Sequence, residues 1–388
     1  MTTSGPMSPR TPGIGKYAPL PWALRLHGQS RSPSPARSCS PDLQPKEPYR
    51  PWWKESVFYQ VWPRSFKDSN TTNTNGHGDI KGVMSKLGYI KSLGVDTLWL
   101  CPTYQSPQKD YGYDISDYTA IDPAFGTMED MDELIAEVNK LGMRIILDLV
   151  IDHTSEEHPW FQESKQSRDN PKADWYIWRD PKKDQHGNIL YHSNGEPQEP
   201  TNWRACLIHG SAWTYSPQRQ QFYLHCFLVE QPDLNWSNEE CRKAIYVSAI
   251  EFWMKKGVAG FRVDTANRMS KDMTFQDAKV TKHDVPWQDM SDHCLNGDRM
   301  HEYLQEMRSE AMDKYDFDAV LVGELPGTKP DALKKYVLRE RRELSMTFDF
   351  DMMVSIFRLR WDWRIAISDI VNRSLAVMTT RTRSISIW

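Results

Sequence analysis

Four short apolar runs in this sequence lead directly into acidic side chains. Asp148 and His153 mark the end of the run at 144–151, Asp264 follows the run at 258–263, and Glu324 closes the run at 319–325. Asp110, Tyr113 and Asp114 come after the run at 95–101. In a strand, side chains i and i+2 share a face, so Arg262 points the same way as Asp264. A cation beside a carboxyl favours its ionised form, the state that a nucleophile needs. Glu324 lies among Leu321, Val322 and Leu325, and apolar surroundings push a carboxyl toward the range useful for an acid. Two carboxyls tuned apart in this way can break a glycosidic bond. One attacks the anomeric carbon while the other protonates the departing oxygen, and retention requires them roughly 5 Å apart. Taken singly, each acid reads more simply as the N-cap of a following helix. It is the convergence of four strand ends that speaks for one shared site.

Such ends must be held by a sheet. The strand candidates are 57–62, 95–101, 144–151, 258–263, 319–325 and 346–350. They are mostly continuous apolar runs, as parallel strands buried on both faces require. Between them, Ile80, Val83, Leu87, Ile90 and Leu93 share a helical face, as do Met131, Leu134, Ile135, Val138 and Leu141 behind a capping box of Thr127 and Asp130. A third helix is expected to start near Ser237, with Glu240 three residues on and Ile245, Ala249 and Trp253 turned inward. This alternation predicts right-handed parallel crossovers, hence an α/β fold that is either a (β/α) barrel or an open doubly wound sheet. About a hundred residues separate the third strand candidate from the fourth, too many for a plain crossover. An inserted subdomain is expected at 154–232, on the loop side where it would form a lid.

Composition narrows the field. The chain has 388 residues, 26% charged and 39% hydrophobic, with a formal net charge of −4. That balance fits a soluble protein and argues against a nucleic-acid partner. No apolar run reaches 18 residues and no signal pattern opens the sequence, so no membrane association is expected and the cytoplasm is the expected location. Sixteen Trp and sixteen Tyr suit the apolar faces of sugars. Six cysteines without a CxxC pair imply neither zinc nor a disulfide framework. Residues 1–49 hold ten prolines and seven serines, a composition that predicts disorder.

The segments DYGYDISDY (110–118), DLVIDHTS (148–155), QPDLNW (231–236), GFRVDTA (260–266) and VGELP (322–326), with the opening WWKESVFYQVWPRSFKDSN (52–70) and HGSAWTY (209–215), resemble glycoside hydrolase family 13. The resemblance is to its maltase and oligo-1,6-glucosidase branch and covers about 300 residues. It implies a (β/α)8 TIM-type barrel with strands 1–3 in residues 50–153, a B subdomain in 154–232 and the barrel resuming in 233–352. By the same resemblance Asp264 is the nucleophile, Glu324 the acid/base and Arg262 the arginine that orients the nucleophile. Asp110, Tyr113 and His153 would grip a nonreducing-end glucose, making the enzyme exo-acting. Thr265, with Ala266, is the maltase-type pair and implies α-1,4 substrates such as maltose-like oligosaccharides, cleaved with retention and without a cofactor in the chemistry.

Several features depart from the family pattern. Asp152 stands where the family has Asn and adds a negative charge near the site. Many relatives bind a divalent cation near the first strand; here Asp68, Asn70 and Asp79 offer oxygen ligands for calcium or magnesium, and a solvated Asn/Thr loop is the competing reading. The family's further carboxylate, in an Asn-His-Asp segment, is missing from the sequence. Residues 353–388 hold no Gly, Pro or Lys but six Arg and are expected to be an atypical tail without family resemblance. A C-terminally truncated barrel of about six strands, without a C-terminal β-domain and with impaired activity, is therefore expected. Two alternatives remain: a non-catalytic relative that binds sugar or protein, and a sucrose-acting or trans-glycosylating enzyme.

Overall fold

A computed structural model describes residues 50–69 and 76–350. The expectations for residues 1–49, Asn70 and residues 353–388 fall outside them. Six parallel strands form one sheet: β1 (Phe58–Val61), β2 (Thr97–Leu100), β3 (Arg144–Leu149), β4 (Gly260–Val263), β5 (Val320–Gly323) and β6 (Met346–Thr347). Their spatial order is their sequence order, and every neighbouring pair is parallel. A doubly wound sheet reverses its strand order at a switch point; here no reversal occurs. The sheet is therefore the curled, barrel-type arrangement, and β2 through β5 read as unbroken apolar runs because both faces are covered.

The two faces have different contents. Phe58, Trp99, Ile146 and Val322, with Met346 and Phe348, fill the concave side, and Arg262 lines the same groove. The convex side packs against helices. Leu98, Ile145, Leu147, Phe261, Val263 and Leu321 meet Ile135, Val138, Ile245, Ala249, Trp253, Leu304 and Met307 in one core. The helix Met128–Lys140 carries the expected capping box, with the Thr127 and Asp130 side chains serving each other's backbone N–H. One helical expectation is corrected. The first amphipathic segment splits into Ile80–Met84 and Leu87–Ser92, and Leu93, past the second of these, is exposed. The later helix starts near Ser237 as expected, with Asn238 as the N-cap that accepts from Cys241 N–H. From there Glu239–Ile245, the π-helical turn Tyr246–Glu251 and Phe252–Lys256 run end to end, and Gly257 in the left-handed region closes the helix.

Between β3 and β4 the chain makes its long excursion. At its neck, residues 152–156 pair antiparallel with 230–234. Beyond it, Trp178–Arg179, Gln221–Leu224 and Trp213–Ser216 form a small antiparallel sheet. The excursion is not self-contained. Trp203–Arg204 pairs with Gln288–Asp289 from the β4–β5 connection, and Trp203, Trp213 and Leu224 share a core with Ala278, Met290 and Cys294. No helix among the described residues is long and apolar enough to cross a membrane.

Gly260 opens β4 at φ +143°, and a β-carbon there would collide with the Val320 backbone of β5. Gly260→Ala should thus lower stability by about 1–3 kcal/mol or more through overpacking and strain, read as an earlier midpoint in urea unfolding.

Candidate active site

Strand register decides which side chains meet. Arg262 in β4 lies opposite Asp148 in β3 and Val322 in β5. Two residues on, Asp264 and Glu324 leave adjacent strands at the same height, tied by Glu324 N–H to Val263 O and Ala266 N–H to Glu324 O. The buried Arg262 guanidinium then holds all three acids. Nη1 is 2.6 Å from both Asp148 Oδ1 and Asp264 Oδ1, and Nη2 is 2.6 Å from Glu324 Oε2. The other Asp148 oxygen accepts from Trp99 Nε1 at 2.8 Å, so that carboxylate is fully engaged at the back of the site.

Thr265 joins the front pair. Its backbone N–H donates to Glu324 Oε2 at 3.1 Å and its hydroxyl to Asp264 Oδ2 at 3.3 Å. Doing so places a β-branched residue at φ +39°, in a region that costs roughly 1–3 kcal/mol and is held only where the surroundings impose it.

Electrostatics separate the acids. Burial pushes the Glu324 carboxyl up to about 7; Arg262 pulls it back, while Asp264 pushes it further. The apolar neighbours were the signal for this shift in the sequence. Burial raises Asp148 to about 6 against the pull of Arg262 and Trp99. Glu324 keeps a side-chain exposure of 22%, so among the buried acids of this group it is the one open to an incoming molecule.

A second group borders the first. Asp110, Tyr113 and His153 come together as expected, and Tyr113 spans both groups: its ring lies 5.6 Å from the Arg262 guanidinium and its carbonyl 3.1 Å from His153 Nε2. The Asp264 charge is felt at Asp110, whose carboxyl burial raises above its ordinary value. The loop is shaped by Asp114, buried and accepting from Ser106, Lys109 N–H and Asp110 N–H. Gly112, at φ +104°, passes tightly against Pro102. Expected as a strand-end acid, Asp114 works instead to fold this loop.

The expectation for Asp152 is corrected. It does not charge the site: its Oδ1 is 2.5 Å from the ammonium of Lys271, which also lies 3.1 Å from Asp233 Oδ2. All three are buried. Burial alone would lower the lysine, but Asp152 and Asp233 outweigh it and hold it well above its ordinary value. The metal expectation fares differently. Asp79 N-caps the helix Ile80–Met84 through Gly82 N–H at 2.6 Å, and its other oxygen accepts from the Ser69 hydroxyl at 2.7 Å. Each Asp79 oxygen keeps a further lone pair beside these donors. Trp99, Gln231 and Lys271 are site partners that sequence reading missed, because each works through a neighbour distant in the chain.

Comparison with known proteins places this geometry in a family. Residues 60–384 match the model of the alpha-amylase catalytic domain, a span that runs past residue 352. An alpha-glucosidase of Candida albicans is 49% identical over 302 residues, 78% of this chain and 50% of that protein. An oligo-1,6-glucosidase of Heyndrickxia coagulans is 46% identical over 302 residues, 78% of this chain and 51% of that one. The crystal structure of trehalose-6-phosphate hydrolase from Bacillus licheniformis superposes with a TM-score of 0.74 at 40% identity, covering 85% of this chain and 56% of that chain. The chain spans about half the length of the curated relatives it matches.

Two measurements check the electrostatic account. Lys271→Met leaves two buried carboxylates without a counter-charge and should cost about 3–5 kcal/mol, seen as a large drop in melting temperature. A carbon-detected NMR titration should find Glu324 protonated below and ionised above about pH 7; a midpoint in the ordinary glutamate range would contradict the burial argument.

Proposed function

This chain belongs to the alpha-amylase family of glycoside hydrolases, and on that premise we propose that it hydrolyses terminal α-linked glucosides with retention of configuration. The observation that carries the reading is the single guanidinium shared by Asp264 and Glu324. Two carboxyls held on neighbouring nitrogens of one Arg stand close together, and a short separation favours direct attack over an inverting displacement. Asp264, held by Arg262 and by the Thr265 hydroxyl, attacks the anomeric carbon. Glu324 gives its proton to the leaving oxygen, then takes one from the water that releases the sugar. Asp110, Tyr113 and His153 form the closed side of the pocket and grip the hydroxyls of the terminal glucose.

The substrate class is supported by relatives that carry the names alpha-glucosidase and oligo-1,6-glucosidase. The finer proposal, α-1,4 linkages as in maltose, rests on Thr265 and Ala266 after Asp264. One side chain discriminates linkages by little, so maltose against isomaltose is the deciding pair of substrates.

Leaving-group ability separates the two roles. Glu324→Gln should lower kcat/KM for maltose by about 10²–10⁴-fold but largely spare kcat/KM for p-nitrophenyl α-glucoside, whose leaving group needs little acid help, while kcat falls on both because the releasing water loses its base. Asp264→Asn should abolish both. Because Glu324 acts protonated, kcat/KM should fall as pH rises through about 7, and that limb should vanish in Glu324→Gln. Equal loss of kcat/KM on both substrates in Glu324→Gln would contradict the assignment.

A further inference from the structure

Gln231 belongs to no strand end, yet it is buried completely beside the sugar-gripping group. It arrives on the returning limb of the inserted excursion. There Leu234 N–H donates to Asp152 O, Thr154 N–H to Pro232 O and Glu156 N–H to Glu230 O, and this pairing fixes its place next to His153. A tight turn fixes its amide. Gln231 N–H donates to Leu228 O at 3.0 Å, and Gln231 Oε1 accepts from Leu228 N–H at 3.1 Å. With Oε1 engaged, Nε2 is turned toward the site. It donates to Asp110 Oδ2 at 2.9 Å and lies 3.1 Å from His153 Nε2.

An amide nitrogen can only donate, and a carbonyl oxygen can only accept. His153 Nε2 therefore faces two opposed requests: Gln231 asks it to accept a proton, while Tyr113 O, 3.1 Å away, asks it to donate one. Held at one nitrogen by both neighbours, the ring is fixed in place beside Asp110.

We propose that Gln231 is a positioning residue, delivered by the inserted excursion, that clamps Asp110 and His153 into one preorganised pair for the hydroxyls of the sugar. The assignment of those hydroxyls rests on the glucoside reading above; the clamp itself does not. Asp110 responds to several groups. Burial raises its carboxyl, Gln231 and His153 lower it, and Asp114 and Asp264 raise it again. Removing the Gln231 donor should shift Asp110 further toward its protonated form, which loses the charge that strengthens its bonds to sugar hydroxyls.

The test uses the full chain and two variants. Gln231→Met keeps the size and removes all three side-chain hydrogen bonds. Gln231→Glu keeps an acceptor for Leu228 N–H but sets a carboxylate against Asp110. NMR titration of the Asp110 carboxyl should show its midpoint moving up in Gln231→Met and further up in Gln231→Glu; an unmoved midpoint in folded variants overturns the proposal. On p-nitrophenyl α-glucoside, Gln231→Met should raise KM by about tenfold, as one charge-assisted hydrogen bond implies, with a smaller change in kcat and an acid limb displaced upward in pH. A fall in kcat at constant KM would also overturn it. If the unmodified chain releases no nitrophenol, the glucoside reading fails, and the Asp110 titration still decides the clamp.

Discussion

One guanidinium governs this structure. Arg262 sits on the concave face of a parallel sheet and touches a carboxylate from each of three consecutive strands. Its burial would be costly without those partners, and theirs without it, because isolated charges in an apolar groove lose far more hydration than a single contact restores. The register of β3, β4 and β5 is therefore bound to the charge arrangement. A one-residue slip would turn Arg262 onto the convex, helix-covered face and strand three acids on the other. The stability of the sheet and the geometry of the site are the same constraint seen from two sides.

The rest of the molecule supports that cluster at increasing distance. Trp99 saturates Asp148 from β2, leaving Asp264 and Glu324 as the acids at the front. Thr265 accepts a strained backbone to bridge them. The inserted excursion contributes a second layer, in which Asp152 and Asp233 share the Lys271 ammonium and Gln231 reaches the sugar-gripping group. Because the excursion shares its core with the β4–β5 connection, it is anchored at its neck and again along its length. A lid fastened in both places can hold side chains at fixed distances from the strand ends.

Much of this was legible in the residues themselves. The six strands follow from apolar runs, the 128–140 helix from its capping box, and the pairing of Arg262 with Asp264 from the two-residue period of a strand. The apolar neighbours of Glu324 announced its raised proton affinity. What stayed hidden was the choice of distant partners. Nothing local shows that Trp99 will serve Asp148, 49 positions away, or that Lys271 will neutralise Asp152 across 119. Asp152 consequently read as an added charge with no partner, and the role of Asp79 as a helix cap went unseen. Gln231 was visible only as part of a motif, because an amide's task depends on which way it is turned, and here the Leu228 backbone decides that.

The account stands on Asp264 forming a bond to the sugar while Glu324 serves the leaving group. Incubation with a glucosyl fluoride bearing a second fluorine on the ring, which forms the covalent intermediate faster than it releases it, followed by peptide mapping by mass spectrometry, tests this directly. A glucosyl adduct confined to the peptide that carries Asp264 is the predicted result. An adduct on another acid, or release of the inverted anomer with no adduct at all, would contradict it.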